Sequence, residues 1–387
     1  MNNAIDGPLS GIVVVELGDS ASAPFAGKVF AELGAEVWKV ERPSGDSSRG
    51  WGPSMWSGSG ASWHALNRGK HTLGFDIKNP DELAKLKQLI TDRADVFVHN
   101  LRPGSSGQYG LDAVALRNLK PELIYCEIGA FGHVGPMNTF GGYDPLMQAF
   151  AGIMSLTGEE GQPPVRAGVS IVDFGSGMWA VIGILSALLR RTSTGTGATV
   201  QGSLLETALT WMSVGIANYN ADGNEGGRYG SGIAFIVPHR AYQASDGYLI
   251  VSCANDSLFS RLCTALGEPT WATDERFATN VNRLKNRTEI DRLIGERLSA
   301  HSREHWQKLL VANGLPVAAV QTIAEVVEHE QTEALKLIRA TPDDVLATVG
   351  LPLSFDGVRP GVNFGAHDIG AHNDELAALI GATKDSK

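Results

Sequence analysis

Apolar positions in the first third of the chain alternate between two rhythms. "GIVVVELG" (11–18) is a β-branched run closed by glycine, the pattern of a buried strand. "APFAGKVFAELG" (23–34) spaces its apolar residues at helical intervals and stops at glycine. "AEVWKVERP" (35–43) returns to a strand and is closed by proline. Strand, helix and strand in so short a span form a βαβ unit, which requires a parallel sheet. The alternation continues through a strand in "HTLGFDI" (71–77), a helix over 80–93 and a strand in "ADVFVHN" (94–100). A helix over 112–120 and a strand in "ELIYCEIGAFG" (122–132) complete it. The pattern predicts a doubly wound α/β domain that binds ligands beyond the strand C-termini.

The rhythm breaks after residue 218. "YNADGNEGGRYGSG" (219–232) is glycine-rich without apolar periodicity and reads as a mobile loop or domain junction. "GYLIVSC" (247–253) is a strand, followed by helical patterns near 257–266, 287–300 and 303–313. The expected organisation is a large domain over 1–218 and a small α+β domain over 219–328. A C-terminal segment, 329–387, is expected to return to the large domain. Disorder is expected only at 1–6 and 384–387. The longest apolar run, within 178–189, predicts a core helix too short to span a bilayer.

Charge narrows the partners. The 387 residues carry 42 acidic and 32 basic side chains, net −10. This disfavours nucleic acid and anionic membrane surfaces, which need a basic face. Cys126, Cys253 and Cys263 form no C-x-x-C pair, and no signal peptide is visible, so a reducing cytoplasm is expected. The histidines, His367 and His372 among them, form no metal-ligand spacing, and no metal is expected.

The first βαβ unit ends at Glu41, where an acid would bind a ribose hydroxyl, but "GDSASAPFAG" lacks G-x-G-x-x-G. "GSGMWA" (175–180) fits G-x-G-x-x-A behind the strand-like "VSIVD", so it reads as a phosphate-binding turn or as close helix packing. Asp173, just before it, admits three readings: helix cap, part of a nucleotide-binding turn, or nucleophile. Lys39, Arg42, Lys78 and Arg102 follow predicted strands, and one shared sheet edge would make them a polyphosphate site. Asp144, beside Tyr143 in "GGYDPLMQAF" (141–150), reads as an N-cap or as a second carboxylate tuning Asp173. Templates for serine hydrolases, P-loops and zincins are not matched.

Several runs, in order, resemble one family. "AELGAEVWKVERPSGDSSR" (31–49), "NRGKHTLGFDIKNP" (67–80), "ADVFVHNLRPG" (94–104) and "YCEIGAFGHVGP" (125–136) are followed by "GYDPLMQAFAGIMSLTG" (142–158) and "VDFGSGMWA" (172–180). "PHRAYQASDGYLIV" (238–251) and "GAHDIGAHNDE" (365–375) extend the match over nearly the whole chain. The sequence resembles the class III coenzyme A transferases, which include formyl-CoA transferase and carnitine CoA-transferase.

The resemblance implies a Rossmann-like large domain, a smaller α+β domain and a homodimer of two interlocked chains. It implies acyl-CoA and carboxylic acid substrates without a further cofactor, and Asp173 as the catalytic nucleophile. CoA-contacting positions carry over to Ala21, Ser22, Arg42, Phe75, Asp76, Ile77, Lys78, Asn100, Leu101 and Arg102. Tyr143 and Asp144 match residues lining the reacting centre. A glycine lid corresponds to 226–232, making Gly230 and Gly232 candidate lid residues whose amides face an oxyanion. Ala21, Gln108, Arg228 and Tyr229 depart from the formyl-CoA transferase pattern, which argues against formyl or oxalate specificity. Alpha-methylacyl-CoA racemases share the fold and pair an aspartate with a histidine; His133 is the candidate base here. A non-catalytic CoA-binding protein is the remaining class.

Overall fold

The structure, a computed structural model, describes residues 7–382. The ends with expected disorder, 1–6 and 384–387, lie outside the described residues. The chain forms two units, one taking in the chain up to Ala151, Gly168–Met212 and the chain from Glu330 onward. The other is Gly152–Ala167 with Ser213–His329.

The first unit is built on six strands: β1 (Val13–Leu17), β2 (Glu36–Glu41), β3 (His71–Gly74), β4 (Val96–His99), β5 (Ile124–Gly129) and β6 (Thr199–Ser203). Their order is β3-β2-β1-β4-β5-β6, and every neighbouring pair is parallel. The chain winds outward from β1 through β2 to β3, then returns to β4 and winds the other way. The order therefore reverses between β1 and β4, which opens a crevice beyond their carboxyl ends. Helices α1 (Ser22–Glu32), α2 (Pro80–Asp92), α3 (Asp144–Phe150), α4 (Ile171–Thr194) and α5 (Leu204–Trp211) complete the part that concerns the site.

Both faces of the sheet are covered, so the strands read as unbroken apolar runs rather than alternating ones. Val14, Val96, Val98 and Ile124 point to one face, where they meet Ala26 and Phe30 of α1 and Val181 and Ile184 of α4. Val15, Trp38, Phe97 and Tyr125 point to the other, against Leu86, Leu89 and Ile90 of α2. At the outer edge of β3 the Thr72 amide donates to His372 Nδ1, the His372 amide returns a bond to Thr72 O, and Gly74 N–H donates to Asn373 Oδ1. Two C-terminal residues thus satisfy an edge that would otherwise be open.

Helix α4 departs from the sequence reading. The strand expected before Asp173 does not form: 24 residues from Ile171 to Thr194 make one helix. It is long and apolar enough to cross a bilayer, contrary to the expectation from 178–189. Its buried residues, including Val172, Ala180, Val181, Ile184 and Leu188, make it a core helix of the α/β unit. Gly175 and Gly177 lie inside it. A Cβ on Gly177 would stand 2.6 Å from Ser22 O, and one on Gly175 2.7 Å from the Trp211 ring. The glycine pair therefore permits close contact with α1 and α5, and the phosphate-turn reading is withdrawn.

The second unit holds an antiparallel sheet of β7 (His239–Ala244), β8 (Gly247–Ser252) and β9 (Val317–Ala319), with β8 central. Leu249 and Val251 pack against Phe259, Leu262, Ile290, Ile294 and Leu310 from its helices. The expected loop over 219–232 is shorter than predicted, because Ser213–Asp222 is helical. Residues 152–167, assigned by periodicity to the first domain, join this unit; the Gly230 amide donates to Gly158 O at 2.9 Å.

Candidate active site

The two turns bordering the crevice between β1 and β4 are tied together by side-chain hydrogen bonds. Asn100, the first residue after β4, accepts the Asp19 amide through Oδ1 and donates through Nδ2 to Asp19 O and Ser22 Oγ. This ties the turn after β1, with the buried Ala21 and Ser22, to the turn after β4. Asp19 in turn accepts from the Ser47 amide and hydroxyl at 2.7 and 2.8 Å. Arg42 donates to Gly45 O and Ser47 Oγ and keeps its guanidinium mostly in solvent. After β3, Phe75 is buried, the Asp76 carboxylate accepts the Lys78 amide, and the Ile77 side chain packs on the core. Leu101 packs on the same core, and the Lys78 and Arg102 side chains are exposed. The structure therefore brings Ala21, Ser22, Arg42 and Asn100 together, with Phe75, Asp76, Ile77, Lys78, Leu101 and Arg102 on the loops after β3 and β4.

Lys39 does not join them. It is fully buried, and its ammonium meets Glu16 Oε1 and Asp46 Oδ2 at 2.9 Å and Gly18 O at 3.0 Å. Burial would lower its pKa, but the Glu16 and Asp46 carboxylates outweigh that and hold it above its ordinary value. Lys70, equally buried, bonds Glu16 Oε2, Pro24 O and Asn67 Oδ1; burial and the nearby Lys39 push it down to about 8. Glu41 is buried, with both of its oxygens engaged by protein groups. Arg49 grips both of its oxygens, at 2.7 and 2.8 Å, and the Asp46 amide adds a third bond. The periodicity placed Lys39 and Glu41 on the right strand, but only packing decides that Lys39 is paired with Glu16 and Asp46 and Glu41 with Arg49. This network also holds Ser20 at φ +69, since the Ser20 amide donates to Asp46. No sequence signal marked Glu16, Asp46 or Lys70 for that role.

Asp173 is not a cap. The residue preceding α4 is Ser170, which makes no side-chain cap, and Asp173 is the third residue of the helix. The open amides of Val172 and Asp173 are instead capped by Asp144, whose Oδ2 accepts them at 2.8 and 3.2 Å. Asp144 itself opens α3 directly after Tyr143, is 3% exposed, and takes a further bond from Gln148. The expected N-cap role of Asp144 on its own helix is replaced by capping of a second one. Phe174 stacks on Phe25 of α1 at 4.8 Å between centroids, and Ser176 Oγ donates to Thr207 Oγ, so the start of α4 is fixed on two sides.

Among the described residues no hydrogen-bond donor reaches the Asp173 carboxylate. Burial, and then the charge of Asp144, push its pKa up to about 7. Such a group is ionised at neutral pH in useful amounts yet poorly solvated, which suits a nucleophile or a general base. Tyr143, which precedes Asp144 in sequence, is two-thirds exposed. His133, the candidate second base, lies 3.8 Å from Glu127 and, among the described residues, pairs with it rather than with Asp173. Gly230 and Gly232 belong to the second unit, and their amides are spent on Gly158 O and Tyr229 O, so neither is an open oxyanion donor here.

The expectation that no metal-ligand group forms needs one correction: ligand atoms of His71, His372 and Glu375 lie within 4.8 Å of one another. The chemistry of the set does not fit a metal. His372 Nδ1 accepts the Thr72 amide, which leaves the ring proton on Nε2, the nitrogen that would have to coordinate.

Residues 9–373 match the model of CoA-transferase family III. The chain is 34% identical to a succinate–glutarate CoA-transferase of Agrobacterium fabrum, covering 93% of this chain and 94% of that one. It is 32% identical to a succinyl-CoA–D-citramalate CoA-transferase of Chloroflexus aurantiacus, over 98% and 95% of the two chains. The crystal structure of a CaiB/BaiF family protein from Brucella suis superposes with a TM-score of 0.90 at 34% identity, covering 97% of this chain and all of that one. A parallel sheet with a crevice at its switch point, a match over nearly the whole chain and a superposition of this quality agree: the protein belongs to CoA-transferase family III and is a class III CoA-transferase enzyme.

Proposed function

We propose that this enzyme moves coenzyme A from an acyl-CoA thioester to a free dicarboxylic acid, with Asp173 as the covalent relay. The state of the Asp173 carboxylate carries the reading: it lies in the first turn of α4, meets no donor among the described residues, and has its pKa raised to about 7. In the first step an Asp173 oxygen bonds to the thioester carbonyl carbon, the C–S bond breaks, and CoA thiolate leaves with the electron pair. The thiolate then attacks the aspartyl carbonyl of the mixed anhydride, releasing the donor acid and leaving an aspartyl–CoA thioester. The acceptor carboxylate attacks that thioester, again expelling thiolate. Attack of the thiolate on the acceptor carbonyl gives the new acyl-CoA and restores Asp173. Each step exchanges one acyl bond for another, so no nucleotide is consumed.

Arg42, Lys78 and Arg102, cations on the loops after β2, β3 and β4, are suited to the phosphates of CoA, with Ala21, Ser22 and Asn100 lining the crevice. A dicarboxylate acceptor is supported by the names of the Agrobacterium and Chloroflexus relatives. Homodimerisation is supported by large apolar side chains left exposed on the first unit, including Phe140, Leu146, Phe150, Met178, Trp179 and Ile182. Three buried free thiols fit a reducing, cytoplasmic setting. The racemase reading lacks support, since His133 is turned to Glu127.

The test is an exchange assay with succinyl-CoA and labelled glutarate, citramalate and butyrate, read by mass spectrometry beside Asp173→Ala. Labelled acyl-CoA formed by the wild type and lost in the variant supports the proposal. Equal exchange in the variant, or deuterium entering a branched acyl-CoA with no acid present, overturns it.

A further inference from the structure

The second unit contains a concavity of about 450 Å³ that the transfer chemistry above does not use. That volume suits a small organic ligand. On a chain of net charge −10, its wall gathers four guanidinium groups, Arg228, Arg240, Arg287 and Arg292, against the carboxylates of Glu159, Glu160 and Asp291. The balance at the wall is decided by which charges are already spent.

Asp291 is fully engaged: one oxygen takes the Tyr242 hydroxyl at 2.5 Å and the other meets Arg240 at 3.3 Å. Arg292 turns to Glu296, at 2.5 Å. Arg287 is locked by bonds to Ile233 O and Ala234 O, both 2.9 Å, and lies 5.5 Å from the centre of the Tyr229 ring. These are neutral partners, so its charge is not cancelled. Arg228 is half-buried and makes no ion pair or hydrogen bond among the described residues. Glu159 and Glu160 are exposed, where water and salt screen them, whereas Arg228, Arg240 and Arg287 are partly withdrawn from solvent. The least screened charges of the wall are therefore cationic. Arg228 and Arg287 line this concavity without a carboxylate partner, and a planar guanidinium is suited to grip one.

We infer that this concavity binds a small dicarboxylate, with one carboxylate held by Arg228 and Arg240 and Arg287 supplying charge behind them. The choice of a dicarboxylate rests on the proposed acceptor class; the positive charge and the size rest on the unit alone. Glu159 shapes the same wall, since its carboxylate lies 2.0 Å from where a Cβ on Gly230 would stand. Gly230, at φ +60, thus leaves room for Glu159 as well as meeting a backbone need.

The experiment is calorimetric titration of the full-length protein with glutarate, succinate, butyrate and inorganic phosphate, without any acyl-CoA. The wild type and Asp173→Ala are expected to bind glutarate or succinate alike and butyrate at least roughly tenfold more weakly. Arg228→Gln should lose roughly tenfold or more in affinity, and Arg228→Lys, which keeps the charge but not the fork, should recover part of it. Arg240→Gln should weaken the same ligand, with thermal melting confirming that each variant is folded. Unchanged affinity in both glutamine variants, or tighter binding of phosphate than of either dicarboxylate, overturns the inference. No turnover is read, so a failure of Asp173 to relay CoA leaves this result standing, and a failure here leaves the relay standing.

Discussion

The carboxylate of Asp144 accepts the main-chain amide of Asp173 at 3.2 Å, so one acid closes the helix on which the other is displayed. The capping bonds hold Asp144 against the start of α4, while the Asp173 carboxylate meets no donor among the described residues. The same contact therefore positions the candidate nucleophile, and the Asp144 charge adds to the rise in pKa that burial causes.

Replacing Asp144 by Asn should separate these effects. The amide oxygen still accepts from Val172 and Asp173, but the negative charge is gone, so ionisation of Asp173 becomes easier. The acidic limb of kcat/KM, expected near pH 7 in the wild type, should move to lower pH. Asp144→Ala should instead lose the cap and about 1 kcal/mol or more of stability. A pH–rate profile and a denaturant melt of each variant check this; an unmoved limb in Asp144→Asn would refute the tuning role.

Asp173→Asn should abolish transfer and stabilise the fold above neutral pH. The native pKa, about 7, is above the ordinary carboxylate value of 3.8, so the native state holds this proton more tightly than the unfolded chain. The associated stability is present below about pH 4 and is lost as pH rises through 7. The variant has no such loss. Its Tm advantage should grow between pH 4 and 8, by a few degrees in total, for a burial cost of a few kcal/mol. Melting curves at four pH values would show the trend or its absence.

Lys39 and Arg42 should behave oppositely although they are three residues apart. Lys39→Ala leaves the Glu16 and Asp46 carboxylates short of a counter-charge in a dry site, a loss of roughly 3–5 kcal/mol. Arg42→Ala removes an exposed side chain, should leave the melting curve almost unchanged, and should weaken CoA binding several-fold. Paired unfolding and CoA titrations distinguish a structural lysine from a binding arginine.

Gly177→Ala tests the reassignment of the glycine pair. The new methyl would meet Ser22 O at 2.6 Å and push α4 away from α1, costing roughly 1–3 kcal/mol. Loss of stability before any CoA is added is the expected result. A normal melt with selective loss of CoA affinity would return the glycine to a ligand-binding role.

Much of the first unit was legible because its elements are buried in a regular way. β1, β2, β4 and β5 follow their apolar runs, and Pro80 behind the Asn79 cap marks the start of α2. The start of α4 was misread for an equally local reason. "SIVD" is β-branched and sits before glycines, which in isolation favours a strand and a turn. The helix wins because Asp144, on an earlier helix, supplies the acceptor its first amides need, and because Gly175 and Gly177 let α1 and α5 approach. The loop over 219–232 was likewise drawn too long, since Ser213–Asp222 has a weak apolar face and helical propensity there carries little signal.

By itself the sequence determined the alternation that builds a parallel sheet, the family, and the aspartate on which the chemistry is proposed to turn. Tertiary structure alone decided which charges are spent. Lys39 and Arg42 sit on the same short stretch, yet one is sealed between Glu16 and Asp46 and the other stands in solvent. It also decided that Asp144 caps while Asp173 is left without donors. Burial and charge pairing depend on neighbours brought together by folding, and a linear pattern records periodicity but not those distances.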